Sequence, residues 1–267
     1  MNNLPENYDI NQYERPSVAV DTVVFTIRKT PCESYRHLSG MSLSVLMVTR
    51  TELPFKDCIS LPGGFTKRDE TVEDTAKRKL YEKTGIKNLP VSLLYNFSAP
   101  DRDPRGWIIS CGYWTLVENS KALLTENNAE WYSIDFKCGD ENYLKLISDS
   151  GNIYRTDFEI YDNTELYNQA PKINIISSEK TAFDHSEIII RALIQLRNSL
   201  EFPYAAFRLL PEYFTLTELQ QVYETILGKP LLMANFRRKI SPYVEDSGKI
   251  ETGAGHRPSK LFKAVKK

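Results

Sequence analysis

Cysteine and histidine are scarce in this sequence, and neither is spaced as metal sites or disulfide frameworks require. Of 267 residues only three are histidines and four are cysteines, and no two cysteines form a C-x-x-C pair. A zinc site or a disulfide framework would need such spacing. We therefore expect buried, reduced thiols at all four positions, Cys32, Cys58, Cys111 and Cys138.

Long apolar segments are also missing. No run approaches the length of a membrane-spanning helix, and the polar stretch from Met1 to Pro16 lacks the apolar core of a signal peptide. Composition is that of an ordinary globular protein, 41% hydrophobic and 26% charged. We expect a cytoplasmic protein without a membrane partner, long enough for one large domain or two ordinary ones.

The formal net charge is only -1, but the charge is unevenly distributed. Between Lys229 and Lys267 the sequence has ten basic residues and three acidic ones. Such asymmetry indicates a polyanionic partner for one end of the chain.

A glycine turn followed by a helix is the clearest local pattern, between Leu61 and Ile86. The spacing predicts a turn at Gly63 and Gly64, a polar loop, and a helix from about Thr71 to Thr84. Gly85 suits the end of that helix because glycine adopts the left-handed conformation without strain. Apolar residues recur at every fourth position of the helix, so that one face packs against other elements.

Strand patterns surround this helix, and a second helix follows them. Strands are predicted at 17–28, 43–49, 58–61, 91–97, 107–116 and 131–136. The segment 137–180 is hard to interpret, and we predict a hairpin insertion with strands at 152–161 and 172–177. A connector helix then covers 181–200, with Asp184 at its N-cap position.

The basic end of the chain has the pattern of a helix-turn-helix with a wing. A helix capped by Thr215 or Thr217 stops at Gly228, and a second helix runs from about Ala234 to Tyr243. Because Pro242 bends or ends a helix, only the first two turns of the second helix are expected to contact bases. A hairpin with a glycine tip follows. The predicted DNA-binding residues are Asn235, Arg237, Arg238, Lys239, Arg257 and Lys260.

The glycine turn and its helix resemble the Nudix box, G-x5-E-x7-R-E-U-x-E-E-x-G-U with U aliphatic. The matching positions are Gly64, Glu70, Arg78, Leu80, Glu82, Gly85 and Ile86. Lys79 and Lys83 stand where the family has glutamates that hold Mg²⁺ or Mn²⁺. Hard cations need several oxygen ligands, and only Glu82 remains of the three. The resemblance therefore implies a degenerate box with no catalytic residues, and no metal cofactor unless the chain is a hydrolase.

The loop 101–106 is similar to one that borders the ligand in a subgroup of Nudix proteins. Arginine suits phosphate because its planar fork donates paired hydrogen bonds. The predicted ligand-binding residues are Phe65, Lys79, Lys83, Phe97, Arg102 and Arg105. Composition alone also allows a solvated lysine face and an ordinary surface loop. His185 either contacts this pocket or only closes a capping turn, and we favour the capping turn.

Taken together, nearly the whole chain resembles the Nudix-related transcriptional regulators. That resemblance implies a Nudix-type α/β/α sandwich over residues 1–200 and a small winged helix-turn-helix domain over 201–267. It also implies a dimeric bacterial repressor that senses ADP-ribose or a sugar and binds a palindromic DNA operator. Effector binding would move the two basic helices out of register with their half-sites. The alternatives are an active Nudix pyrophosphatase and an RNA- or protein-binding adaptor.

Overall fold

A computed structural model describes residues 8–29, 40–86, 89–118, 124, 128–161, 171–251 and 259–265. One large sheet and two helices form the first part of the chain. The strands are β1 (Ser17–Lys29), β2 (Met41–Thr49), β3 (Ile59–Ser60), β4 (Gly63–Phe65), β5 (Ser92–Phe97), β6 (Ile108–Leu116), β7 (Ala129–Lys137), β8 (Tyr143–Ile147), β9 (Ile153–Tyr161) and β10 (Lys172–Ser178), and the helices are α1 (Val72–Thr84) and α2 (His185–Ser199).

The sheet has the order β10-β9-β8-β7-β2-β1-β6-β5, with β3 beside β2 and β4 beside β1. Strand β1 is central and pairs in parallel with β6, and the remaining pairs are antiparallel. Because neighbouring side chains on a strand face opposite ways, β1 supplies both cores. Val24 packs with Leu80 of α1, whereas Phe25 packs with Ile188 of α2. The predicted α/β/α sandwich is therefore confirmed.

The predicted helix at the box is also confirmed. Thr71 caps α1 in a reciprocal arrangement with Asp74, and Gly85 closes it in the left-handed conformation, with φ 70°.

The segment 137–180 contains the predicted hairpin, since β9 and β10 pair in antiparallel fashion. Strands β8, β9 and β10 continue the main sheet beyond β7. Strand β8 was not predicted, and it pairs along its length with β7 on one side and β9 on the other. The insertion therefore enlarges the main sheet by three strands.

The remaining chain forms α3 (Tyr204–Phe207), α4 (Leu216–Leu227), α5 (Met233–Ile240) and a hairpin of β11 (Val244–Glu251) and β12 (Ser259–Ala264). Thr215, not Thr217, caps α4, and Gly228 ends it with φ 70°. Helix α5 is shorter than predicted, because Ser241–Tyr243, which contains Pro242, forms a 3-10 turn.

A single hydrophobic core joins the sheet to these C-terminal helices. Leu193 and Leu196 of α2 belong to the same buried cluster as Leu219 of α4 and Phe236 of α5. The chain division at residue 200 stays a prediction, since a continuous core crosses that point.

The expectation of buried thiols is wrong for the described cysteines. Cys138 is exposed, Cys58 and Cys111 are half-buried, and all three are free. Cys32 lies outside the described residues. Within the part of the chain that the structure describes, no helix is both long and apolar enough to cross a membrane.

Candidate functional site

Glu70 and Arg78 hold the box loop against α1. The Glu70 carboxylate accepts hydrogen bonds from Arg78 Nε at 2.9 Å, the Lys67 backbone N–H at 2.8 Å and Thr75 Oγ1 at 2.9 Å. Arg78 and then the Lys67 N–H favour the ionised carboxylate and lower the pKa of Glu70 to about 2. Both box residues therefore fix the conformation of the loop. Both carboxylate oxygens of Glu70 already accept hydrogen bonds.

Glu82 has cations on both sides. It accepts from Lys79 Nζ at 2.8 Å and from Arg78 Nη1 at 3.2 Å. Burial opposes its charge, but Lys79 and Arg78 outweigh burial and lower its pKa. Among the described residues no group of three or more acidic, cysteine or histidine side chains is placed to hold a metal ion. Both carboxylate oxygens of Glu82 already accept a hydrogen bond from a cationic side chain.

The two lysines occupy different places. Lys79 does not line the pocket beside the box. Its side chain packs against Gly64, since a Cβ atom built on Gly64 would lie 2.6 Å from Lys79 Cε. Lys83 does line that pocket. Of the two predicted ligand-binding lysines, only Lys83 is placed to reach a ligand there.

The pocket is a cavity of about 280 Å³ between the glycine turn, the loop 101–106 and the start of α2. Phe65, Arg102 and Arg105 line it, as predicted. Phe97 does not: it is buried in the main core, where its ring lies 5.4 Å from that of Tyr95. The prediction of Phe97 as a stacking surface in this pocket is therefore wrong.

A buried ionic network forms the floor of the pocket. Arg102 donates to both oxygens of Asp184, at 2.7 and 2.6 Å, and lies 3.4 Å from Asp21. Asp21 also accepts from Ser110 Oγ at 2.6 Å and faces His185 Nε2 at 3.4 Å. Burial disfavours the charge of Asp21, but His185, Ser110 and Arg102 outweigh it and lower its pKa to about 2.

This network bears on two predictions. Asp184 occupies the N-cap position of α2, as predicted, but it makes no capping hydrogen bond, because its carboxylate binds Arg102. His185 is not merely a capping-turn residue: it lines the pocket, and its Nδ1 accepts from the Leu61 N–H at 2.9 Å. The guanidinium of Arg102 likewise contacts Asp184 and Asp21.

Arg105 lies at the pocket wall against two aromatic rings. Its Cζ is 5.1 Å from the Phe65 ring centroid and 5.3 Å from that of Phe183. Asp103 accepts from Arg105 Nε at 2.9 Å and Nη2 at 2.7 Å. Phe183 was missed by the sequence analysis, as were Arg50 and Asp21 in the same cavity.

Four of the predicted DNA-binding residues, Asn235, Arg237, Arg238 and Lys239, are exposed on α5, and Arg238 donates to Asn235 Oδ1 at 3.3 Å. Lys239 differs from the other three in its partner. Its Nζ donates to the Leu200 carbonyl at 3.0 Å and lies 5.6 Å from the Tyr223 ring centroid. Lys239 is therefore exposed, as predicted, but its ammonium binds back to the connector.

The wing neutralises part of its own charge. Lys260 pairs with Asp246 at 2.9 Å, and Lys263 pairs with Glu245 at 3.1 Å, across the two strands. Arg257 lies outside the described residues. Among the described elements of this domain, the excess of positive charge is therefore concentrated on α5.

Known proteins match both halves of this arrangement. The NUDIX domain model matches residues 38–138, and the NrtR DNA-binding winged helix domain model matches residues 206–264. The ADPR responsive transcriptional repressor NtrR of Acinetobacter baylyi is 28% identical over 264 residues, which cover 96% of this chain and 85% of that protein. Residues 38–138 thus match a NUDIX domain and residues 206–264 the NrtR DNA-binding winged helix domain, the combination expected from the resemblance to Nudix-related transcriptional regulators.

Two solved structures are similar to this chain over nearly its whole length. A MutT/nudix family protein from Enterococcus faecalis has a TM-score of 0.70 at 28% identity, covering 98% of this chain and 89% of that one. NrtR of Shewanella oneidensis complexed with a 27mer DNA has a TM-score of 0.60 at 26% identity, covering 93% of each chain. The ADP-ribose pyrophosphatase of Methanocaldococcus jannaschii is 40% identical over 98 residues, which cover 37% of this chain and 49% of that protein.

Proposed function

We propose that this protein is a ligand-responsive transcriptional repressor whose Nudix domain binds ADP-ribose or a related nucleotide sugar. The observation that carries the proposal is the joining of a Nudix pocket, whose box glutamates are held by cations, to a winged helix-turn-helix domain. The Acinetobacter relative, named as ADPR responsive, supports ADP-ribose as the effector.

The pocket would bind this effector without cutting it. Phosphoryl chemistry in Nudix enzymes depends on a metal cluster. Glu82 is a poor ligand for such a cluster because it is paired with Lys79 and Arg78. Arg105 and Lys83 supply positive charge to the same cavity. We therefore propose that neither catalysis nor a metal cofactor is part of its function.

The DNA partner would be a palindromic operator bound by a homodimer. Arg237 and Arg238 are exposed on α5 and suit phosphate or base contacts. Two such helices in a dimer fit half-sites about 34 Å apart, or multiples of that distance. Because bacterial DNA lies in the cytoplasm, we propose that compartment as the place of action.

The mechanism would be linkage between the two sites through α2. An effector changes operator occupancy only if its affinity differs between the DNA-bound and free arrangements. Helix α2 begins at the pocket, where Asp184 binds Arg102, and ends where Lys239 of α5 binds the Leu200 carbonyl. We propose that ADP-ribose favours an arrangement in which the two α5 helices no longer match their half-sites.

Titration of labelled operator DNA tests this function directly. The full chain should bind a palindrome upstream of neighbouring genes, with an affinity that falls steeply with salt, as phosphate contacts demand. Adding ADP-ribose should lower that affinity by about 5- to 150-fold, the usual range of allosteric coupling. No change at saturating ADP-ribose would refute the assignment of the effector.

An active pyrophosphatase is the second candidate. The 40% identity to the Methanocaldococcus enzyme over the box region favours it, as do the retained Gly64, Glu70 and Glu82. Incubation with ADP-ribose or NADH and Mg²⁺ separates the two functions. Release of AMP at a rate typical of competent enzymes would establish the hydrolase, and background release is expected.

A further inference from the structure

Two loops that are distant in sequence meet at the mouth of the pocket. One follows β2 and contains Arg50 and Phe55, and the other precedes α2 and contains Phe183. A parallel bridge between Ile59 and Thr181 joins them, with the Ile59 N–H donating to the Lys180 carbonyl at 2.8 Å. This pairing places residues about 130 positions apart in one wall of the pocket.

The two loops form a compact group of rings and guanidinium groups. Arg50 Cζ lies 4.8 Å from the Phe183 ring centroid, and Arg105 Cζ lies 5.3 Å from the same centroid. The ring of Phe55 packs edge-on against Phe183 at 4.7 Å. Phe183 therefore fixes two positive charges beside one cavity through cation–π contacts.

The two arginines differ in their partners. Arg105 is bound by the carboxylate of Asp103. Within the described residues, Arg50 has one hydrogen-bond acceptor, the Pro54 carbonyl at 2.8 Å from Nε, and no carboxylate within ion-pair distance. Burial, and then the charge of Arg105, lower the pKa of Arg50. The two terminal nitrogens of Arg50 therefore remain available to an anionic ligand.

The backbone of both loops is strained at this point. In the part of the chain that the structure describes, four residues other than glycine have positive φ: Phe55, Asp57, Lys180 and Phe183. All four belong to these two loops. Such conformations are unfavourable for residues with a side chain and concentrate at ligand sites, where the surrounding structure maintains them.

We propose that Arg50 is a specificity-determining residue that binds the diphosphate of the effector through the paired donors of its guanidinium fork. Phe183 positions it beside Arg105, so that two guanidinium groups neutralise the ligand where Nudix enzymes use metal ions. The inference rests on the proposed function and names the class of its ligand, a nucleoside diphosphate compound. Because a diphosphate presents oxygens on two phosphoryl groups, it can bind Arg50 and Arg105 together, so Arg50 favours ADP-ribose over a sugar monophosphate.

Calorimetric titration of the full chain with ADP-ribose in the presence of EDTA tests this role. Arg50→Gln should weaken binding about 10- to 100-fold, as expected for loss of charge-assisted hydrogen bonds. The matched control is Lys56→Gln, which removes the same charge from an exposed position of the same loop outside the pocket and should change affinity less than twofold. Equal affinity of Arg50→Gln and wild type overturns the inference.

Arg50→Lys keeps the result interpretable if Arg50→Gln loosens the loop that Nε holds to Pro54. It retains the charge but not the paired donors, so a loss of at least threefold supports the role and wild-type affinity overturns it. Operator binding without ADP-ribose should be unchanged in each variant. If wild type itself does not bind ADP-ribose, the proposed function fails with the inference. If wild type binds and the variants match it, only the inference fails.

Discussion

At the scale of single residues, this box helix differs from that of a metal-binding Nudix box at two positions. Lys79 and Lys83 stand where such a box has glutamates. Restoring both by Lys79→Glu and Lys83→Glu would place three glutamates, with Glu82, on one helix. We expect the double variant to bind Mn²⁺ in a calorimetric titration, and wild type to show no binding at the same concentrations. The control Lys67→Glu with Lys77→Glu makes the same charge change outside the pocket. Equal Mn²⁺ binding by control and test variants would contradict the prediction.

Asp21 gives a prediction for acid stability. Its pKa is about 2 in the folded protein against an ordinary value of 3.8. A carboxylate with a depressed pKa stabilises the fold above its unfolded pKa, and this contribution is lost as the pH falls through the folded value. The Tm of wild type should therefore fall between about pH 4 and pH 2, and Asp21→Asn should flatten that part of the profile.

The same variant should also be less stable at pH 7. Removing one partner of a buried ionic network costs about 3 kcal/mol, because Arg102 loses a counter-charge. Denaturant unfolding measures this loss. Asp101→Asn, at an exposed position next to Arg102 in the loop 101–106, should change neither stability nor the acid profile. An acid profile of Asp21→Asn parallel to that of wild type would show that the network contributes little.

The contrast between Phe97 and Phe183 shows how far the sequence predicts the pocket. Phe65 and Arg105 follow from the box and its neighbouring loop, since both are local in sequence. Phe97 was wrongly placed because an apolar residue at a strand end looks the same whether it faces a core or a cavity. Phe183 and Arg50 were missed because only the pairing of Ile59 with Thr181 brings their loops together.

At the scale of elements, α1 was predictable and β8 was not. Helix α1 has its own start and stop signals in Thr71 and Gly85, which act through local hydrogen bonds. Strand β8 is five residues long and depends on pairing with β7 and β9, so its stability comes from partners distant from any local signal. A helix with its own caps is predictable for this reason, whereas a short strand without a local signal is not.

Helix α5 yields a prediction that separates two adjacent basic residues. Both are exposed, but the Lys239 ammonium binds the Leu200 carbonyl, whereas Arg238 contacts Asn235. Arg238→Ala should weaken operator binding by about 1–3 kcal/mol and leave the Tm unchanged. Lys239→Ala should do the reverse, lowering Tm with a smaller loss of DNA affinity. Fluorescence anisotropy and thermal unfolding of both variants check this, and equal losses of DNA affinity would refute the distinction.

At the scale of the whole molecule, α2 links the pocket to the DNA-binding domain. Its first residues contact the pocket through Arg102–Asp184 and Leu61–His185. Near its other end, Arg197 donates to the Phe136 carbonyl of β7 at 3.1 Å and the Ile226 carbonyl of α4 at 3.0 Å. Any movement of α2 relative to the sheet must therefore change contacts on both sides of the domain junction.

Arg197→Gln tests whether this junction carries the coupling. Burial lowers the pKa of Arg197, and among the described residues its polar partners are only carbonyl groups. We expect a loss of about 1–3 kcal/mol in stability, because two carbonyls lose their donor. ADP-ribose and operator should each still bind alone, but the ratio of operator affinities with and without ADP-ribose should approach one.

Reciprocity makes the Arg197 experiment stricter. The factor by which ADP-ribose changes operator affinity must equal the factor by which operator changes ADP-ribose affinity, in wild type and in the variant. Arg208→Gln is the matched control, since Arg208 is exposed in the same junction and has no side-chain partner in the described part of the chain. Full coupling in Arg197→Gln, measured in both directions, would mean that the signal passes by another route, such as a rearrangement between subunits.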